Sequence, residues 1–413
     1  MRILIFLCLF VTFSAAAQTR EAEIEAARSA KEKVLTPETV TKTEQMLREI
    51  KEQKVLERLS AGYHGFRPKI GNMVTGAGFA LGPEFYRADL LRENLEFRAS
   101  AGFSFGGSQK YEIEARFPKL ASERLQLEFV GSHRNYARIG YYGLGPDSLK
   151  IDRSNYRLED TSFDAIGTVR LNHHLWLGGS IGKFYSNPGP GNDARYISTE
   201  RKFSPQQAPG IDVATDYIRP SVFAQYDYRN DPLGPKSGGN YVMQFSWNND
   251  RRLDQFNFRR LDIDLQQYIP FFNRTRIIAL RAKTILTDTD RNERIPFYLQ
   301  PMLGGSDDLR GFRPFRFSDR NMVVYNAEYR FEVFAGLDAA IFADAGKVMP
   351  RRGMLNFRDL EGSVGFGLRF NVNNATFLRI DTGFSHEGFQ VWFKFNDVFN
   401  QRRFGTSTGQ PVY

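Results

Sequence analysis

Leu95-Glu96-Phe97-Arg98-Ala99-Ser100-Ala101-Gly102-Phe103-Ser104-Phe105 alternates almost residue by residue. Leu95, Phe97, Ala99, Ala101, Phe103 and Phe105 share one face, and Glu96, Arg98, Ser100 and Ser104 share the other. Successive side chains of a strand point to opposite sides, so this strand is apolar on one side and polar on the other. Near the other end of the chain, Phe389, Val391, Phe393 and Phe395 alternate in the same way with Gln390, Trp392, Lys394 and Asn396. Working outward from these two, the period-two pattern predicts sixteen strands: 71–81, 82–91, 93–106, 110–117, 124–140, 161–172, 174–185, 215–229, 239–250, 255–269, 274–286, 321–334, 337–347, 361–371, 375–385 and 388–399.

The connections between these strands are sorted by length. After odd strands come the long ones, 141–160, 186–214, 287–320 and 348–360; after even strands come tight ones such as Asn172–His174, Pro270–Asn273 and Asn373–Ala375. Asn230–Gly238 is the exception, a longer turn on the short side. Short periplasmic turns opposite long external loops are the signature of outer-membrane barrels, whereas a soluble sandwich or propeller has no reason to sort its loops. Closing the sheet also leaves no unpaired backbone group facing lipid. The expected fold is therefore all-β, a 16-stranded antiparallel transmembrane β-barrel spanning 63–399, with both termini on the periplasmic side.

The composition agrees. Mean hydropathy is −0.43, as in a soluble protein, because lipid-facing and lumen-facing residues average out in a barrel. Aromatics at 14% fit interfacial girdles. Met1-Arg2, the apolar run Ile3–Phe13 and Ala15-Ala16-Ala17 before Gln18 read as a secretory signal peptide over 1–17, too short to anchor in a bilayer. The only cysteine, Cys8, lies inside it, so disulfides, thiolate metal sites and cysteine catalysis are excluded from the expected mature chain. Residues 18–62 are rich in Glu, Lys, Arg and Ala and read as a short periplasmic helical segment. Thr36-Pro37-Glu38 is a helix start there, and the apolar stripe of Val40, Leu47, Ile50 and Leu59 is thin. Such a helix is solvated, plugs the lumen, or docks on a periplasmic adaptor through residues 18–60. The net charge of +9 favours anionic outer-membrane lipids; nucleic acid is discounted for an exported chain.

Pro301-Met302-Leu303-Gly304-Gly305 followed by Leu309-Arg310-Gly311-Phe312, then Asn326-Ala327-Glu328-Tyr329-Arg330-Phe331, Phe342-Ala343-Asp344-Ala345-Gly346-Lys347-Val348 and Gly365-Phe366-Gly367-Leu368-Arg369-Phe370 occur in this order, with Leu378-Arg379-Ile380-Asp381 after them. Together they resemble the bacterial surface antigen family. This is the superfamily of sixteen-stranded outer-membrane barrels that includes the barrel-assembly and translocation-assembly proteins. The resemblance implies that the loop 287–320 folds back into the lumen, where its arginine meets acids of the inner wall. Parity on these strands agrees independently. Val323, Tyr325, Ala327, Tyr329 and Phe331 make one strand's apolar face and Leu337, Ala339, Ile341 and Ala343 the next one's, so Glu328 and Asp344 point inward. The expected lock is Leu309, Arg310, Gly311 and Phe312 against Glu328 and Asp344. Arg310 supplies a planar fork of donors, and Gly311 lets the backbone approach closely.

A weak seam between first and last strands is what lateral opening would need. Gly71, Gly76 and Gly78 fall in the expected first strand, where each interior glycine costs about 0.5–1 kcal/mol against alanine. Phe393, Phe395 and Phe399 fall in the expected last strand. That strand resembles the family's C-terminal insertion signal, except that a tail, 400–413, follows Phe399. The glycines equally suit a tight barrel bend. Residues 18–62 show no β alternation, so the family's periplasmic client-binding domains do not fit there. The function implied is assistance to insertion or translocation of proteins or lipids at the outer membrane, with unfolded outer-membrane proteins as clients. A pore gated by the loop around Arg310 and a structural surface barrel are the alternatives. No enzyme, cofactor or metal site is expected. His173 and His174 share a tight turn, and Asp288-Thr289-Asp290-Arg291-Asn292 lacks the glycine and closing glutamate of a calcium loop.

Overall fold

The structure, a computed structural model, describes residues 62–73, 78–272, 275–334, 336–372, 375–395 and 399. The expected signal peptide, nearly all of the helical segment and the tail lie outside these residues.

Sixteen strands form one antiparallel sheet in which each pairs with its sequence neighbours. They are β1 (Phe66–Asn72), β2 (Phe79–Asp89), β3 (Leu95–Ser104), β4 (Gln109–Leu120), β5 (Leu125–Tyr141), β6 (Ser154–Arg170), β7 (Leu175–Pro190) and β8 (Thr215–Asp227). The second half comprises β9 (Gly238–Asp250), β10 (Phe258–Phe271), β11 (Arg276–Asp288), β12 (Asn321–Phe334), β13 (Leu337–Met349), β14 (Glu361–Val372), β15 (Ala375–Ser385) and β16 (Gly388–Lys394).

The burial pattern inverts that of a soluble protein. Ile113, Phe163, Ile181, Phe366, Phe389 and Phe393 are exposed on the outer wall, while Arg134, Asp160, Asp262, Asp264, Glu328, Arg369, Arg379 and Asp381 are buried inside. Such an arrangement is stable only where the outer wall meets lipid instead of water. At the end that carries the long loops, Tyr141, Tyr156, Phe184, Tyr217, Phe297 and Tyr298 pack into an aromatic cluster. The ring of Phe297 lies 5.0 Å from that of Tyr141 and 4.7 Å from that of Tyr156.

Three expectations need correction. β6 and β7 are longer than their alternation suggested, beginning at Ser154 and ending at Pro190. Beyond the bilayer the inward side chains Tyr156, Leu158 and Phe184 join the apolar cluster, so the apolar–polar contrast that marks a lipid-facing strand is lost there. The first hairpin turns at residues 73–78, not before Gly82. Gly82 and Pro83 lie inside β2, where pairing with β3 is interrupted between Leu81↔Phe103 and Glu84↔Ser100 with no change of register. Pro83 also faces Pro68 across the β1–β2 ladder, and neither ring nitrogen has a proton to donate. Gly71 thus stays in β1 and Gly78 falls in the turn with φ 80°, while Gly76 lies outside the described residues.

The last strand stops at Lys394 and does not reach Phe399. Phe399 is buried with Tyr268, Ile277 and Ala279, a satellite cluster on the inner faces of β10 and β11. The side-chain amide of Gln266 donates to its carbonyl at 2.9 Å. Expected at the end of the last strand, this phenylalanine is instead buried inside.

Candidate functional site

The long connection between β11 and β12 turns into the lumen and is fixed there by charge. A two-residue ladder, Met302↔Ser318 and Leu303↔Phe317, closes its base. Leu303, Leu309, Phe312 and Phe317 form an apolar patch with the inward side chains Ile285, Met322, Val324 and Val348. This patch presents Arg310 to the wall of β12, β13 and β15, where its side chain is wholly buried, as are Glu328, Asp344 and Asp381.

Every nitrogen of the Arg310 fork donates. Its Nε donates to Asp344 Oδ2 at 2.9 Å, Nη2 to Asp344 Oδ1 at 2.6 Å, and its backbone N–H to Asp344 Oδ2 at 3.1 Å. Nη1 donates to Glu328 and lies 3.9 Å from Asp381 Oδ2. The guanidinium also sits 3.4 Å above the Phe342 ring, a cation–π contact on the same wall. Burial alone would lower the arginine's pKa, but Asp344 and Glu328 outweigh it and hold the group above its ordinary value. The charge is therefore permanent, and the bidentate geometry is one a lysine cannot reproduce.

The acids are shared further. Glu328 also accepts from Arg330 Nε at 2.7 Å and Arg369 Nη2 at 3.0 Å. Asp381 accepts from Arg369 Nη1 at 2.5 Å and Arg379 Nη1 at 3.0 Å. Loop acids return the favour: Asp307 accepts from Arg379 Nη2 at 3.0 Å and lies 3.7 Å from Lys394 Nζ. Asp308 lies 3.5 Å from Lys283 Nζ. A buried network of this kind is costly to break, because each orphaned charge stays inside.

Close backbone approach completes the lock. A Cβ on Gly311 would stand 2.7 Å from the Phe384 carbonyl, and one on Gly383 would stand 2.5 Å from the Arg310 carbonyl. Two glycines thus face each other where loop meets β15. The last strand joins in, as Trp392 Nε1 donates to the Arg310 carbonyl oxygen at 2.7 Å, and at the end of β15 Ser385 Oγ donates to that of Gly311 at 2.9 Å. Leu309, Arg310, Gly311, Phe312, Glu328 and Asp344 are all brought together. Asp381, Arg369, Arg379, Asp307, Gly383, Trp392 and Lys394 were missed as members. Inward parity on β14, β15 and β16 would have found Arg369, Arg379, Asp381 and Lys394; nothing in the sequence marks Gly383 as the partner of Gly311.

The expected seam residues are only partly gathered. A Cβ on Gly71 would lie 3.7 Å from that of Phe395, whose ring packs 5.7 Å from Phe79 and from Phe377. Phe393 is exposed on the outer wall and Phe399 is on the far inner wall. Among the described residues no ladder joins β1 to β16, although the two strands stand at the ends of the sheet. Both have seven residues, fewer than the roughly 9–11 that cross a bilayer. The histidines carry no site: His386 lies 3.4 Å from Glu361, and no cluster able to hold a metal occurs among the described residues. Asp288 and Asp290 pair with Arg352 and Arg259.

The Omp85 superfamily domain matches residues 94–409. Among solved structures the chain is similar to BamA from Haemophilus ducreyi lacking POTRA domains 1–3, at 14% identity and a TM-score of 0.60, covering 80% of this chain and 70% of that one. It is also similar to CdiB from Escherichia coli, at 12% identity and a TM-score of 0.54, covering 80% and 62%. No curated protein matches the chain.

Proposed function

We propose that this chain, which belongs to the Omp85 superfamily and is an outer-membrane protein, assists insertion or translocation of proteins at that membrane through the junction of β1 and β16. Both termini lie on the periplasmic side. Carrying this reading is the contrast between a lumen closed by a locked loop and a sheet whose end strands share no ladder among the described residues. Short end strands thin the adjoining bilayer, since seven residues cannot span it. The loop holds β16 from inside through Trp392 and Lys394, so loop and seam act as one device. The buried aromatic cluster at the long-loop end and the loop itself count against a steady pore.

The test is a reversible seam staple. Cysteines at Gly71 and Phe395 would have Cβ atoms 3.7 Å apart, inside the ~3.5–4.5 Å range of disulfides. In liposomes, the protein should speed folding of a urea-unfolded outer-membrane barrel above the empty-vesicle rate. Oxidising the staple should abolish the gain and reductant restore it. A wild-type rate equal to empty vesicles refutes insertase activity, and activity that survives complete oxidation refutes the seam as its route.

A further inference from the structure

The connection between β13 and β14, residues 350–359, is exposed throughout, yet it is rich in apolar side chains. Phe357 is 76% exposed, and Met354 and Leu355 are 44% exposed each. The Phe357 ring stacks on Tyr325, with centroids 5.3 Å apart and planes 28° apart. Tyr325 belongs to the outward face of β12, four residues from that strand's long-loop end. The loop therefore reaches down over the outer wall at the height of an aromatic girdle.

Its shape is held. Lys347 Nζ donates to Asn356 Oδ1 at 2.7 Å and to the Arg358 carbonyl at 2.9 Å. Arg352 is tied to Asp288 at 2.7 Å. Arg351 and Arg358, by contrast, are exposed and make no side-chain hydrogen bond or ion pair among the described residues. Two other exposed arginines of the long-loop side do find acids, Arg195 in Asp193 and Arg259 in Asp290. Here Asp359 is the loop's one acid against three arginines. Apolar tips beside unpaired cations are the composition of a segment that lies in a bilayer interface and neutralises anionic head groups.

We propose that residues 350–359 form a clasp for a phosphate-bearing lipid of the outer leaflet. Met354, Leu355 and Phe357 enter the acyl boundary, and Arg351 and Arg358 bind the phosphates. The clasp rests on the reading of the barrel as embedded with its long loops outward.

The experiment uses the full chain with Cys8→Ser, spin-labelled through one cysteine at Phe357, at Phe366 on the outer wall of β14, or at Leu233 in the β8–β9 turn. Vesicles are phosphatidylcholine with or without a bis-phosphorylated glycolipid. The label at 357 should collide with oxygen and be shielded from a nickel chelate, as at 366 and unlike 233. The glycolipid should raise the melting temperature of the labelled protein, and R351Q/R358Q should remove at least half of that rise. Nickel access at 357 equal to that at 233 overturns the clasp, and a protein or solvent is then the occupant. Shielding with an unchanged response in R351Q/R358Q overturns phosphate recognition. Nickel access at 366 as well would instead defeat the embedded barrel itself.

Discussion

The wall from β5 to β7 and the junction of β1 with β16 use the same alternating chemistry but are held by different means. β6 pairs with β7 without interruption from Tyr156↔Pro190 to Arg170↔Trp176. Within the same wall, Arg134 and Asp160 form a bidentate pair between adjacent strands. At the junction the strands are short, two prolines face each other beside it, and no ladder crosses it among the described residues. What holds that side is the loop, packed against β12 to β16 from within. One region is held by continuous backbone pairing; beside the other, the contacts are those of the loop's side chains and backbone with the inner wall.

The largest effect should come from removing the plug's charge. Arg310→Ala leaves Asp344 and Glu328 buried without their shared partner and should cost about 3–5 kcal/mol. A gel-shift melt in SDS would read it, and an unchanged midpoint would sink the locked loop. Arg310→Lys should recover less than half of the loss, because an ammonium cannot bind Asp344 through two parallel donors.

Glycine substitutions sharpen the comparison. A Cβ at Gly383 would overlap the Arg310 carbonyl at 2.5 Å, so Gly383→Ala should cost about 1–3 kcal/mol by overpacking. On β7, Gly179 has its nearest atom, the Ser221 carbonyl oxygen, at 3.5 Å. Gly179→Ala should therefore be neutral or stabilising by up to about 1 kcal/mol. Equal melting shifts for the two variants would erase the distinction between loop-held and ladder-held wall.

Trp392→Phe removes one donor to the Arg310 carbonyl and should cost about 1 kcal/mol. Amide exchange should quicken in β16 and stay slow in β5 and β6; uniform acceleration would show that loop and seam are not coupled locally. The smallest effect lies at the loop's exit. Burial pushes the Asp319 carboxyl above its ordinary value, although Arg320 and its own backbone bond oppose that. The folded state then keeps a proton that the unfolded state has released, so stability should fall as pH rises from the ordinary carboxylate value through the raised one. Asp319→Asn should flatten that slope, measured as melting midpoint against pH.

Sequence reading recovered most strands because lipid enforces the alternation. Its errors fall where lipid does not. β6 and β7 extend past the bilayer into an apolar cluster, and there both faces look alike. The expected boundary between the first two strands, after residue 81, falls inside β2, where Gly82 and Pro83 interrupt the pairing with β3 without shifting its register. Phe399 obeys the alternation in sequence but departs from the wall in space. The lock was half legible: Arg310, Glu328 and Asp344 came from motif and parity, whereas Asp381, Arg369 and Lys394 needed neighbours on other strands to give them roles.

By itself, the chain's order of residues determined a sixteen-stranded wall, its inside and outside, and the inward aim of Glu328 and Asp344. Those follow from strand geometry and the immiscibility of side chains with hydrocarbon, which act locally. Only the folded molecule decided that Gly311 meets Gly383, that the loop grips β16, and that Phe399 is buried inside. Such contacts join residues far apart along the chain, and the energy that selects them exists only once the ring has formed.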